Sequence, residues 1–557
     1  MRTMAIPDLL ERLSSRFALL QNGPRNSVER QRTLRAVVDW SYELCTPAQR
    51  ELWEAMSVFS GSVDLGAVVA VADLNDAALV DTLDQLVAQS VVEAEHDSGR
   101  FRMLETMRRY GIDRAQERGT WPHLVRRHLD HIRRMAAEQR RGWWGPGQAA
   151  ILTRLRADRA ELQSALTAAV AEGDGIPLDV DAALELFADL RYHWAVGGFV
   201  REGRGWSERL LALPGAAEDR RLPALITAAW LCLLQGDLTD AAALLSEADA
   251  LASPTEQAGG DDPEKQTPAS RRDGSKPHKD ASAAIELHRW WGTHAMFSGD
   301  PDTAQTRFER SISAAFAAEM PAEALLAQFQ LTTARSHAGR ADAAEPAHDA
   351  LRYTESIGET WMRSHALWAL ALAAFVRADL GSAEQRTRQA IAVEAAFDDP
   401  IGTCLMLEML AWIDARRGLN ERAAMLLGAA ATQWRRIGSD ITAHGPQLAA
   451  HHDACVRTVR GALSERVFAR ISEDSTRLTP AEALALSVSS PESSAASLSR
   501  RERDVAAGIH RGLSNREIAD ELVLSTRTVD THVQRIFAKL GVASRAQVAA
   551  WYESVTG

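Results

Sequence analysis

Near the carboxyl end of this chain Arg527, Thr528, Thr531, Arg535 and Ala538 are spaced so that, at 100° per residue, they share one side of a helix, with His532 and Lys539 on its flank. Val529, Val533, Ile536 and Leu540 recur on the opposite side and must pack inward. Small side chains, hydrogen-bonding groups and positive charge on one helical side suit a DNA major groove. There polar groups meet base edges, and Arg or Lys meets phosphate. The helix start beyond Ser525 adds free N–H groups and a positive dipole end. The same side would also serve as the plain solvated face of a helix hairpin.

Other constellations carry less. His451-His452 with Cys455, and His123 with His128 and His131, lack a second ligand group at a recognisable metal-site spacing, and read as surface or helix-face histidines. Trp143-Trp144, set among glycine and proline, reads as a packing corner, with a stacking platform for a ligand as the alternative. Only four of 63 basic residues are lysine, namely Lys265, Lys276, Lys279 and Lys539, and none follows a glycine. No phosphate loop of the form G-x-x-x-x-G-K-[ST] is therefore present, nor H-E-x-x-H, G-x-S-x-G or G-x-G-x-x-G. Nothing pairs two carboxylates with a nucleophile. The expectation is a protein that is not an enzyme and needs no metal or cofactor.

The chain has 557 residues, enough for roughly three to five domains. A hydrophobic fraction of 46% with 25% charged residues belongs to a globular protein with sizeable cores. Net charge is −12, which excludes a polybasic sheath for nucleic acid or anionic membrane. The four cysteines, Cys45, Cys232, Cys404 and Cys455, are far apart, so neither a zinc ribbon nor a disulfide framework is supported. The longest strongly apolar run, Leu367 to Val376, is half of the roughly 20 residues that a membrane span requires. Met1 to Leu13 lacks the apolar core of a signal peptide, and a reducing cytoplasm is the expected compartment.

The elements that must position these residues follow from punctuation and period. Leu34, Val37 and Val38 fall on one helical face; Thr46-Pro47-Ala48-Gln49 opens the next helix with a capping box; Leu79, Leu83, Leu86 and Val87 form another apolar stripe. The period then changes to strands at Val91–Glu95 and Arg100–Leu104 around a turn at Asp97-Ser98-Gly99. Helices followed by a hairpin suggest a winged helix over 28–122. Within a helical-repeat domain placed at 123–470, residues from about 150 to 470 read as almost continuous helix with a repeat, Gly-x-x-x-x-Ala, at Gly236/Ala241, Gly299/Ala304, Gly339/Ala344 and Gly418/Ala423, with Ala378/Ala383 carrying alanine in the glycine place. Glycine ends one helix where φ must be positive, and the small alanine lets the second helix come close. Such pairs must stack to bury their apolar faces. Residues 252–282 hold no large apolar side chain and read as a disordered insertion. Thr479-Pro480-Ala481-Glu482 announces a last helix, and the serine-rich run 487–497 a linker, within a segment 471–497 that sets off the final module.

That module, 498–557, reads as four helices. Ser499-x-x-Glu502, Ser514-x-x-Glu517 and Ser544-x-x-Gln547 are capping boxes, and Ser525 caps the third helix after a tight turn near Leu524. The second and third helices thus have helix-turn-helix spacing. The module carries a net charge of +2 against −14 for the remainder. A protein whose one cationic unit is a helix-turn-helix is expected to bring that unit to DNA.

Three resemblances sharpen this reading. "TLRAVVDWSYELCTPAQRELWEAMSVFSG", "LDQLVAQSVVEAE" and "RFRMLETMRRYG" resemble the winged helix that follows the nucleotide-binding domain in actinobacterial NB-ARC/STAND regulators, where it is mostly a structural lever. Ile6 to Gln31 resemble the last helices of that ATPase, 1–27 being its remnant, which implies that the phosphate-binding part expected upstream of Met1 is missing. The helical repeats resemble slightly long tetratricopeptide repeats, a generic antiparallel helical array remaining open. "LSRRERDVAAGIHRGLSNREIADELVLSTRTVDTHVQRIFAKLGVASRAQVAAW" resembles the LuxR-type DNA-binding domain along its full length. That resemblance implies Ser514, Asn515 and Arg516 on backbone phosphates. It implies Thr528, Asp530, Thr531, His532 and Arg535 in or beside the major groove, and a dimer contact through Ala546 to Trp551. Ala506 and Gly508 stand where the family usually has large apolar residues, implying a thinned core, and Asp530 stands where lysine is frequent.

The expected fold is therefore mainly α: a winged helix, a TPR-like superhelix and a four-helix LuxR-type module. The expected function is a transcription regulator binding double-stranded DNA as a homodimer, with a protein or small-molecule effector on the repeats and no membrane partner. The alternative is a helical-repeat scaffold with a vestigial DNA module.

Overall fold

The computed structural model describes residues 25–72, 76–95, 97–171, 178–252, 276–479, 482, 498–540, 542 and 544–556. Most of 1–27, of 252–282 and of the serine-rich linker lies outside the described residues. The chain divides into two compact units. One comprises residues up to Leu231 with Asp240–Arg271; the other comprises Cys232–Thr239 and everything from Arg272 onward.

The first unit begins with α1 (Arg25–Leu44), α2 (Pro47–Met56), α3 (Leu65–Val71) and α4 (Asp76–Ala88), then the antiparallel pair β1 (Val92–Glu95) and β2 (Arg100–Met103). Thr46 caps α2 as its sequence requires: its N–H donates to Gln49 Oε1 at 2.7 Å, and the Gln49 N–H donates back to Thr46 Oγ1 at 3.3 Å. Val92 faces Met103 and Glu93 faces Arg102, whose side chains pair at 2.7 Å. Val63 adds a single bridge to Phe101, a strand stub too short for any alternation to reveal. Tyr42, Trp53 and Tyr110 pack ring against ring within 5.8 Å. Glu54 is buried beside them, held by the Tyr42 hydroxyl at 2.5 Å and Arg118 at 2.9 Å. Burial, reinforced by this carboxylate, pushes the Tyr42 hydroxyl up to about 12. Of the face expected from Leu34, Val37 and Val38, Val38 is buried but Val37 is exposed, because α1 meets the core along a narrower stripe; the Leu34 side chain is outside the described set.

The unit continues through α5 (Glu105–Arg118), α6 (Trp121–Arg141), α7 (Gln148–Ala157), α8 (Arg159–Val170), α9 (Val180–Asp189), α10 (Arg191–Ala195), α11 (Val200–Leu211), α12 (Glu218–Gln235) and α13 (Leu238–Ala252). His128, read as a surface or helix-face histidine, lies on the inner face of α6: its ring nitrogen lies 2.9 Å from Glu161, whose other oxygen accepts the Ser60 and Gly61 N–H groups. The buried carboxylate is thereby satisfied and pins the winged-helix turn to α8. Trp143 is fully buried and stacks on Tyr192 at 4.1 Å, so a protein ring occupies the face that a ligand would need.

The second unit stacks helix hairpins: α14 (Lys276–Phe297) with α15 (Pro301–Ala317), α16 (Leu325–His337) with α17 (Glu345–Ile357), α18 (Trp361–Val376) with α19 (Leu380–Glu394), and α20 (Pro400–Arg416) with α21 (Asn420–Ile437). Gly299, Gly339 and Gly418 all have positive φ after the first helix of a pair, and Ala378 takes the same conformation at φ 62°. Ala304, Ala383 and Ala423 are fully buried where the second helices come close. In the hairpin after Gly339 the helix starts later, and Ala343 and Ala347 take the close-approach role in place of Ala344. The apolar run Leu367–Val376 lies in α18 inside this stack. No described helix is long and apolar enough to cross a membrane.

Of the disordered insertion expected over 252–282, Ala252 belongs to α13 and residues 276–282 open α14, while 253–275 lie outside the described residues. Helix extension is cheap once a nucleus exists, and buried Ile285, Leu287 and Trp290 supply it. Pro277 sits in the first turn, where its missing N–H is harmless. After the hairpins come α22 (Pro446–Ala462), α23 (Glu465–Ser475) and the terminal module α24 (Arg500–His510), α25 (Asn515–Leu522), α26 (Thr526–Leu540) and α27 (Arg545–Thr556).

Candidate nucleic-acid interface

All four starts of the terminal module are capped by serine. Ser499 with Glu502, Ser514 with Glu517 and Ser544 with Gln547 make both bonds of the capping box. Ser525 accepts from the Thr528 N–H at 3.1 Å, and the two hydroxyls lie 2.7 Å apart. Val505, Ile509, Ile518, Val529, Val533, Ile536 and Val548 form the core beneath. The chain leaves α25 through Val523 in the left-handed region at φ 55°, and the Leu524 N–H returns to Ala519 O at 2.9 Å. This tight turn sets α26 across α25.

The thinned core expected from Ala506 and Gly508 is filled. A Cβ at Gly508 would come within 2.8 Å of Ile518 Cγ1, so the glycine admits the Ile518 side chain against α24. Ala506 is likewise fully buried.

With Val529, Val533 and Ile536 buried, Arg527, Thr528, Asp530, Thr531 and Arg535 are exposed on the other side of α26. Arg516, at the start of α25, is exposed too. Among the described residues these three arginines have no carboxylate at ion-pair distance, whereas Arg511 is paired with Glu521 at 2.7 Å and Arg501 with Asp504 at 3.8 Å. Among the described residues Arg500 and Arg503 of α24 also lack a carboxylate at ion-pair distance, so the unpaired positive charge of the module lies on α24 as well as on the α25 start and the α26 outer side. Thr531 bonds back to Arg527 O at 2.9 Å and keeps its lone pairs outward. His532 is half-buried on the flank, its Nδ1 without a protein partner. The Lys539 side chain lies outside the described set.

Asn515 is tied down. Its Nδ2 donates to Asp530 Oδ1 at 2.5 Å and its Oδ1 accepts from Arg545, which also donates to Leu513 O. Three helices thus meet through three polar side chains. Residues separated by 15 and 30 positions carry no local signal of such pairing, which sequence reasoning missed. Of the expected dimer contact, Trp551 packs against the module's own core, and the Ala546 side chain lies outside the described set.

The winged helix offers a contrast. Its α4 precedes the hairpin, the place of a recognition helix, but the exposed side of α4 carries Val80, Asp81, Asp84 and Gln85. Carboxylates there would meet phosphate with like charge. Among the described residues no cluster of three or more His, Cys, Asp or Glu side chains has metal-site geometry. His451 and His452, read as surface or helix-face histidines, are half-buried on the face of α22 that packs on the hairpin array.

Comparison with known proteins agrees with this geometry. Residues 496–552 match the profile of bacterial regulatory proteins of the luxR family, and residues 46–115 match that of a winged helix-turn-helix domain. An HTH-type transcriptional regulator of Mycobacterium tuberculosis (strain H37Rv) is 26% identical over 98% of this chain and 78% of its own length. The transcriptional regulatory protein LiaR of Bacillus subtilis is 40% identical over 10% of this chain and 26% of its own. A solved STAND protein with a tetratricopeptide repeat sensor, from Pyrococcus horikoshii, covers 77% of this chain and 66% of its own at 10% identity, with a TM-score of 0.40, too distant to fix a fold. Residues 496–552 are thus a luxR-type regulatory domain, joined in one chain to the winged helix-turn-helix domain of residues 46–115.

Proposed function

We propose that this protein is a DNA-binding transcriptional regulator in which α26 enters the major groove. The observation that carries the reading is the outer side of α26 and the start of α25: three arginines without internal partners around Thr528 and Thr531, on a luxR-type domain. Arg516, with the Ser514 turn, meets phosphate; Arg527, Thr528, Thr531, His532, Arg535 and Lys539 lie toward the groove. Asn515 and Asp530 hold α25 and α26 in register, so Asp530 is a positioning group more than a base reader. Two copies bind two half-sites about one helical turn apart. The winged helix, with Asp81 and Asp84 outward, is a structural lever and leaves DNA to the terminal domain. The helical hairpins sense a protein or small-molecule effector, and their signal shifts the population of DNA-competent domains. Anisotropy titrations of the full chain on a selected operator test this. Affinity should fall steeply with salt and fall further on Arg535→Ala. Equal binding to any duplex, indifferent to that substitution, would overturn it.

A further inference from the structure

In the first unit the winged helix and α8 enclose a cavity of about 390 Å³, open to solvent. That volume falls within the roughly 300–1,000 Å³ of small-molecule sites. The turn after α2, α5, α6 and α8 each supply part of its wall. The walls are tied together. Glu161 of α8 is buried, with the Ser60 and Gly61 N–H groups on one oxygen and the His128 ring on the other. Gly61 lets the turn close on α8, since a Cβ there would lie 3.1 Å from Ala160 Cβ. The cavity is therefore preformed.

Its lining carries charge of one sign. Arg108 of α5 belongs to it, and no Asp or Glu does. The Arg108 Nε donates to Phe59 O at 2.8 Å, which fixes the guanidinium. Its Nη1 has only the exposed Glu105 at 3.9 Å, a pair worth little in water. His128 is buried, and its Nε2 is committed to Glu161 at 2.9 Å. A proton on Nε2, donated to that carboxylate, leaves a lone pair on Nδ1. Among the described residues Nδ1 meets no protein donor. The Ser164 hydroxyl of α8 and the Trp121 indole N–H likewise have no protein partner among the described residues. Val58, Val125 and the half-buried Trp121 give the apolar part of the wall. A fixed cation, a buried acceptor and two idle polar groups around apolar side chains have the make-up of a ligand site.

We propose that this cavity is an effector site for a small hydroxylated organic acid. The carboxylate pairs with Arg108, a hydroxyl donates to His128 Nδ1, and the apolar body lies against Val58, Trp121 and Val125. The site belongs to the first unit and so goes beyond the reading of the hairpins as sensor. A bound acid bridges the winged helix to α8 and stiffens that joint.

The test uses the full chain and a homologous series, 4-hydroxybenzoate, 4-hydroxyphenylacetate and 3-(4-hydroxyphenyl)propionate, which holds the two polar groups at increasing separation. In calorimetry at least one should bind saturably, with a Kd of about 1 mM or tighter. That acid should slow hydrogen exchange in residues 121–128 and 160–168. Its uncharged amide should bind about tenfold more weakly, because hydrogen bonds between ionised groups are the stronger ones. Arg108→Gln should erase this preference, a readout that stands whether or not other variants fold. Ser164→Leu removes no hydrogen bond and fills the cavity, so it should abolish binding. No saturable binding by any of the three acids, exchange slowed only elsewhere, equal affinity for acid and amide, or a folded Ser164→Leu chain that binds as before overturns the proposal. DNA takes no part in the assay, so its failure leaves DNA binding standing, and a failure of DNA binding would leave this result standing.

Discussion

Arg535 and Arg527 stand unpaired on the outer side of α26, and each should matter in its own way. Arg535→Ala should cost about 1–3 kcal/mol of operator binding if the guanidinium reads a base edge. Arg527→Ala, near the helix start, should lower the salt slope by about one, the mark of a lost phosphate contact. Anisotropy titrations over a range of salt measure both. At Gly508 an added methyl would lie 2.8 Å from Ile518, so Gly508→Ala should lose about 1–3 kcal/mol to overpacking despite the helix propensity of alanine. Thermal unfolding of the terminal domain checks this. The outward residues of α26 were legible because helical period fixes sides from spacing alone. The Asn515 pairing to Asp530 and Arg545 was not, since a contact across three helices leaves no mark on local sequence. Gly508 was misread for the same reason: a missing side chain looks like a void until the neighbour that fills it is known.

The hairpin repeats were legible in the same way, from glycine and alanine at fixed spacing. The repeat without its glycine is informative. Ala378 holds φ 62°, a left-handed conformation that costs a residue with a Cβ about 1–2 kcal/mol. Ala378→Gly should therefore raise the midpoint of chemical unfolding; no change would mean that the turn relaxes at no cost. The path of α22 was hidden, because its histidines, read as surface or helix-face groups one helix at a time, carry no sign of what that face meets. Its hold on the array should depend on pH in two directions. The Glu408 carboxylate keeps His452 above its usual value, against burial that opposes charge, so that pairing is complete below about 6.5 and lost as pH rises through the raised value. Burial lowers His337 to about 4, and also lowers His451, so stability from their neutral stack is present above about 6.5 and lost as pH falls toward 4. Protection of the amides of residues 446–462, the exchange rate relative to that of the unfolded chain at the same pH, should be greatest near about 6.5 and smaller on either side; a flat profile would contradict these assignments.

Across the whole chain, charge separates the two helix-turn-helix domains more sharply than fold does. One turns Asp81 and Asp84 outward, the other Arg527 and Arg535. The acidic balance of the chain, −12, hides a terminal domain of opposite sign, and reading the charge by segment exposed it. Where the insertion ends was less legible: composition ran through 282, but helix propagated back to Lys276 from the apolar residues behind it. The most direct measurement is selection of binding sites from a random duplex pool by the full-length protein, followed by salt titration of the winning site with the native chain and with Arg527→Ala/Arg535→Ala. The selected site should have two related halves about one helical turn apart, with steep salt dependence that is shallower in the double variant. A pool that yields no preferred sequence, or a double variant that binds with unchanged affinity and slope, would contradict it.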